Sequence, residues 1–212
     1  MLQLQEFPIA RKTDRDLEIP VLVDFLQKKV IAVDSALDVG AQFSVGYYAK
    51  DIRKVAKLYH GLDPLPDPET EKIVDKLILA DAVDFDFPAY DLITCVSTLE
   101  HLGQYPVVYQ NYRYLRHKVF EKMLNAAKKF LWVSFPVGLN YQEPGEMSIF
   151  NEQELEFILG LIKPYKNEVG YYFTEGAQAG FAWRPSIKEK CVNQAYKKDL
   201  GTQALCVIEV SK

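Results

Sequence analysis

The 212-residue chain is short of several things, and each shortage removes a class of function. It has no surplus of base: 25 Lys and Arg stand against 29 Asp and Glu, for a net charge of −4. The basic residues are scattered apart from pairs such as Lys28-Lys29, Lys128-Lys129 and Lys197-Lys198. Nucleic-acid binders draw most of their affinity from phosphate neutralisation by a basic stripe, so DNA and RNA are not expected partners.

Cysteine is scarce: Cys95, Cys191 and Cys206 form no CxxC and have no histidines at metal-ligand spacing. An odd number of thiols without a secretory signal suits a reducing compartment and predicts a cytoplasmic location. No apolar run approaches the ~18 residues of a membrane span, and the first residues, MLQLQEFPIARKTDRD, lack an apolar h-region. HExxH, GxxxxGK[ST], GxSxG and zinc spacings are missing, which leaves metal chemistry, phosphoryl transfer and serine hydrolysis unsupported.

What is present is ordinary globular composition, 49% hydrophobic and 25% charged, on a length suited to one large core. Apolar runs and breakers predict a lead-in helix over 19–33 with Pro20 in its first turn. Strands then follow at 36–39, 58–62, 77–80, 92–97 and 130–135, with helices at 45–55 and 106–128 among them. In the longer helix Val108, Tyr112, Leu115, Val119, Met123 and Ala127 recur at helical spacing, while Arg113, Arg116, Lys118, Glu121 and Lys122 fall largely elsewhere. Asn151 and Glu154 form a capping box for a helix over 151–162, ended by Pro164. Strands at 168–173 and 205–210 flank a basic, polar segment, 184–198.

Continuously apolar strands such as LITCVS, residues 92–97, are buried on both faces, which is the habit of a parallel sheet. The expected fold is a doubly wound α/β domain: a mostly parallel seven-stranded sheet, helices on both faces, and an antiparallel last strand. One domain spans 1–212, with a lead-in over 1–34, a ligand-binding half over 35–136 and a C-terminal half over 137–212.

Ligands in such folds lie beyond the carboxyl ends of the strands. The segment SALDVGAQFS, residues 35–44, is a strand running into a glycine turn, but Gln42 and Ser44 stand where small residues would continue the pattern. Three acids fall near strand ends. Asp38 lies in the first strand. Asp63, ending the second, is placed either for ribose hydroxyls or as a turn residue before Pro64. Asp81, ending the third, reads as a ligand contact or a cap. Glu100-His101 follows the fourth strand; His101 is a substrate contact, a general base or a loop cap, whereas His60 and His117 read as core or surface residues. Tyr47, Tyr48, Tyr105, Tyr109, Tyr141 and Trp183 sit near the cleft side and could shape an acceptor pocket. GLNYQEPGEMSIF, residues 138–150, is long enough for a lid and equally a surface connection.

The set ALDVGAQFS, YHGLDPLP, ADAVDFDFPAYDLITCVSTLEHLG and FLWVSFPVG resembles the class I S-adenosylmethionine-dependent methyltransferases in order and spacing through residues 36–136. The resemblance implies S-adenosylmethionine as cofactor and methyl transfer to a small-molecule or glycan-type acceptor. By position it puts Gly40, Ala41 and Gln42 against the methionine moiety, with Asp38 in the preceding strand. Asp63 with Pro64 would meet the ribose, Asp81 with Ala82 the adenine, and Ser97 the sulfonium. The turn departs from the family's pattern at 42 and 44. Two other functions therefore stand beside it: a methyltransferase-like scaffold without catalysis, suggested by Gln42 and Ser44, and a nicotinamide-dependent oxidoreductase, since Asp63 suits any adenosine ribose. The missing GxGxxG and the LEH segment count against the oxidoreductase.

Overall fold

The computed structural model describes residues 13–42, 44–103, 110–139, 141–143, 146–176, 179–197 and 199–212. Five parallel strands form the first part of its main sheet: β1 (Val33–Val39), β2 (Ala56–Asp63), β3 (Lys76–Leu79), β4 (Tyr90–Val96) and β5 (Ala127–Pro136). Two short strands, β6 (Gln142–Glu143) and β7 (Met147–Ser148), make a separate hairpin. β8 (Lys166–Phe173), β9 (Arg184–Pro185) and β10 (Ala204–Ser211) complete the main sheet, in the order β3-β2-β1-β4-β5-β10-β8-β9. The last strand in the chain inserts antiparallel between β5 and β8. The sheet thus holds the seven expected strands and an eighth, the two-residue edge strand β9, which was too short to leave a pattern.

The central strands carry apolar runs because both faces are covered there. In β4 all seven residues are buried, and alternate side chains serve different cores: Ile93 and Cys95 one, Leu92 and Val96 the other. The second core is closed by α1 (Arg15–Phe25) and α2 (Ala49–Val55); a single turn, α3 (Pro68–Glu71), leads into β3. The first is closed by α4 (Tyr112–Ala126), α5 (Glu152–Ile162) and α6 (Lys188–Val192).

The lead-in helix differs from expectation. It starts at Arg15, so Pro20 lies inside it, and it widens into a π turn over Leu26–Val30. Ile31, at φ 53°, reverses the chain and frees Val33 to begin β1. The capping box of α5 forms as expected, with Glu154 N donating to Asn151 Oδ1 at 3.0 Å. Arg116 is a correction: it is fully buried on the apolar stripe of α4. Glu154 makes this tolerable, since its Oε1 accepts from Arg116 Nε at 2.9 Å while Ser148 O accepts from Nη1 at 2.6 Å. The start expected for α4, residues 106–109, lies outside the described residues. Among the described residues, no helix is long and apolar enough to cross a membrane.

Candidate active site

A cleft of about 240 Å³ opens at the carboxyl ends of β1 to β4, where the sheet's winding reverses between β1 and β4. Its walls come from the loops after those strands and from α1: Arg15, Val39, Gly40, Gln42, Leu62–Leu65, Ala80–Ala82, Ser97, Thr98, His101 and Leu102. Gly40, Gln42, Asp63, Pro64, Asp81, Ala82, Ser97 and His101, separated by up to 61 positions in sequence, are therefore brought together.

The β1 loop is fixed by the end of β2. Gly40 N and Ala41 N donate to Leu62 O at 2.8 and 3.2 Å, and Gln42 N donates to Asp63 Oδ2 at 3.0 Å. Gly40 has φ +78°, a region that favours glycine, and a side chain there would run into Thr98. Gln42 is not among the positive-φ residues, so this position does not need the family's glycine. Ser44 is buried and is not on the cleft wall, which leaves Gln42 as the sole larger residue of the variant turn described there.

Asp63 fills the turn role that the sequence left open, at a place on the cleft wall. Its Oδ1 accepts from Leu65 N at 3.0 Å, a turn closed on itself around Pro64, and the carboxylate also lines the cleft. Burial pushes its carboxyl upward, against the two backbone N–H donors that hold it down. Asp81 likewise caps a turn, its Oδ1 accepting from Val83 N at 2.9 Å, on the cleft wall.

Two of the positional expectations fail geometrically. Asp38 is fully buried away from the cleft, facing three hydroxyls: Thr94 Oγ1 at 2.7 Å, Tyr59 at 3.3 Å and Tyr48 at 3.4 Å. Burial raises its carboxyl to about 7 although those three donors oppose it. Ala41 is also fully buried, packed where Gly61 leaves room. Tyr48 belongs to the Asp38 cluster, and Trp183 packs on the α1 core with its Nε1 donating to Thr13 O, so neither shapes an acceptor pocket. Tyr105 and Tyr109 lie outside the described residues.

Sequence reasoning passed over the group that α1 delivers to the strand ends. Arg15 Nη1 donates to Val96 O at 3.2 Å and to Glu18 Oε2 at 3.1 Å. The other oxygen of the fully buried Glu18 accepts from Ser97 Oγ at 2.5 Å and Ser134 Oγ at 2.6 Å. Burial raises the Glu18 carboxyl; Arg15 and the serines pull it back. Ser97 itself sits at φ +41°, a strained non-glycine conformation at the end of β4. An acid inside the apolar run DLEIPVLV was the available signal, because a helix rarely buries Glu without a partner.

Behind the cleft wall lies Glu100, 3% exposed, with Oε1 4.0 Å from His101 Nε2. His101 reaches the cleft and its Nδ1 contacts Glu146 O at 2.5 Å. Ser148 N donates to Glu100 O at 2.8 Å, so the β6–β7 hairpin is fastened to the site and is not a free surface connection. His60 and His117 stay in structural surroundings, against Tyr90 and Phe157. Among the described residues, no cluster of three His, Cys, Asp or Glu could hold a metal ion.

Solved structures superpose on nearly the whole chain. The magnesium protoporphyrin IX methyltransferase from Synechocystis with bound S-adenosylmethionine superposes with TM-score 0.57 at 14% identity, over 93% of this chain and 79% of that one. The chain has the class I methyltransferase fold. A methyltransferase from Leishmania major gives TM-score 0.60 at 15% identity, over 93% and 72%. The N-methyltransferase NodS from Bradyrhizobium japonicum, in complex with S-adenosylhomocysteine, gives 0.53 at 10%, over 94% and 88%. No family model and no curated protein matches the sequence. In the methyltransferase fold the cleft described above lies at the carboxyl end of the parallel strands, and Gly40, Asp63 and Asp81 follow three of them in turn.

Proposed function

We propose that the cleft binds S-adenosylmethionine and that the chain transfers its methyl group to a small-molecule or glycan-type acceptor. The observation that carries this reading is the pair of carboxylates, Asp63 after β2 and Asp81 after β3, on one wall with Gly40 in the methyltransferase fold. The donor set suits an adenosine carrying an amino-acid tail. Carboxylates accept from ribose hydroxyls, apolar Val39, Leu62, Leu65, Ala82 and Leu102 cover a purine, and the Arg15 guanidinium pairs with a carboxylate.

When bound, S-adenosylmethionine supplies an activated methyl group on a sulfonium. The protein's part is placement: Asp63 and Asp81 hold the nucleoside, Arg15 and the strained Ser97 fix the end nearest the acceptor, and His101 faces the space where the acceptor would lie. Alignment of donor and acceptor contributes most of the acceleration in such displacements.

The test is calorimetric titration with S-adenosylmethionine, S-adenosylhomocysteine and NAD, repeated on Asp63→Ala. Micromolar binding that weakens tenfold or more in the variant supports the reading. Binding of NAD instead would move the protein to the oxidoreductases, and binding of none of the three would favour a scaffold.

A further inference from the structure

Glu18 is fully buried in α1, and its two oxygens serve different partners. Oε2 accepts from Arg15 Nη1 at 3.1 Å, while Oε1 accepts from Ser97 Oγ at 2.5 Å and Ser134 Oγ at 2.6 Å. One carboxylate therefore joins α1 to β5 and to the end of β4. Arg15 and Ser97 stand on the cleft wall; Glu18 does not line it. Among the described residues, Nη1 makes both hydrogen bonds of the Arg15 side chain, to Glu18 and to Val96 O, so the donors on Nε and Nη2 are left over. A planar guanidinium tied at one nitrogen to a carboxylate and a carbonyl has little freedom left to lose when a ligand arrives. Ser97 is held as firmly: besides Glu18, its N donates to Ser134 O at 3.1 Å, and these bonds keep a non-glycine residue at φ +41°.

We propose that Glu18 is a positioning residue for the cofactor's amino-acid tail: from behind the cleft wall it holds the Arg15 guanidinium so that the remaining donors meet the tail carboxylate, and it locks Ser97 beside it. This rests on the methyltransferase reading and deepens it. To Arg15 the carboxylate supplies charge; to the two serines it supplies an acceptor oxygen. Glutamine separates these parts. In Glu18→Gln the amide oxygen still accepts from Ser97 and Ser134, but the amide nitrogen then faces Arg15 Nη1, donor against donor. Val96 O alone does not fix the plane of the guanidinium. The loss is selective, because a nucleoside held by Asp63 and Asp81 does not use Arg15.

The test compares S-adenosylhomocysteine with methylthioadenosine, which keeps the nucleoside and the sulfur but lacks the amino-acid tail. Calorimetry on Glu18→Gln and on Arg15→Ala should show the first ligand weakened about tenfold and the second changed by less than about twofold. The double variant should bind no more weakly than Arg15→Ala, because Glu18 acts through Arg15. If the glutamine variant does not fold, Glu18→Asp, which withdraws the charge by one methylene, should show the same selective loss. In the cofactor-free protein, NMR relaxation of the Arg15 Nε–H should change from that of a fixed group to that of a mobile one in Glu18→Gln. Equal weakening of both ligands, a further loss in the double variant, or an Arg15 side chain equally ordered in Glu18→Gln and the wild type would overturn the proposal alone. A wild type that binds neither ligand would overturn the methyltransferase reading, and the proposal with it.

Discussion

Thr98 occupies the space that a side chain at Gly40 would need: a Cβ built on Gly40 falls 2.0 Å from Thr98 Oγ1. The threonine is held there by its hydroxyl, which lies 3.1 Å from Val96 O and 3.3 Å from Val39 O. Strand ends β1 and β4 thus meet through a glycine and a threonine, and the cleft opens beside that contact. Gly40→Ala is expected to destabilise the fold by at least about 2 kcal/mol, from the left-handed backbone and the displaced Thr98. Thr98→Ala in the same chain should restore part of this and leave the backbone share, which urea unfolding of the single and double variants would show.

Gln42 and Asp63 meet through the backbone N–H of one and the carboxylate of the other, so the glutamine side chain takes no part in that bond. Gln42→Gly is therefore expected to keep cofactor affinity within about threefold while losing about 0.5–1 kcal/mol of stability to glycine's greater freedom. Asp63→Ala leaves two backbone donors, Gln42 N and Leu65 N, without their acceptor and should cost about 1–3 kcal/mol besides affinity. Parallel calorimetry and denaturation of the two variants separate the effects.

Arg116 supplies a larger penalty. Replacement by Met takes the closest cation from the buried Glu154 carboxylate, leaving the more distant Arg113 Nε at 3.9 Å, and frees Ser148 O, for an expected loss of about 3 kcal/mol. Adding Glu154→Gln to Arg116→Met removes the stranded charge, so the double variant should lose less than the sum of the singles. Equal additivity in a denaturation cycle would show that the pair does not act as one.

Asp38 makes stability depend on pH. Its carboxyl is raised to about 7 in the folded chain by burial, so the folded state holds a proton that the unfolded state, titrating near 4, has released. Its contribution is complete below about pH 4 and is lost as pH rises toward 7. Relative to Asp38→Asn, the wild type should thus be more stable at pH 4.5 than at pH 7.5 by up to about 3 kcal/mol. Taking the difference between variants cancels carboxylates that are shifted the other way, such as Asp75 and Asp91.

The sheet was readable because its central strands carry apolar runs, and the cleft because Gly40, Asp63, Asp81 and His101 each stand at or past the end of such a run. Which way a residue faces was not. A period of two gives alternate faces but does not say which residues in and after β1 turn toward the cleft, so Asp38 and Ala41 were credited to it when one points to hydroxyls in the core and the other to Gly61. Arg116 stands four residues after Tyr112 and three before Val119, on the buried stripe, yet its partner Glu154 is 38 positions away. Arg15 and Glu18 were illegible for the same reason: what makes them part of a site is the end of β4, 81 and 79 positions distant.

The segment around β6 and β7 is fastened mainly through its main chain. His101 binds Glu146 O, Ser148 N binds Glu100 O, and Arg116 binds Ser148 O and Ile149 O. Such attachments are blind to the letters they hold. Glu146 and Met147 can be exchanged while the loop keeps its place, so the surface beside His101 can be rewritten, by evolution or by library selection, without rebuilding the frame beneath it.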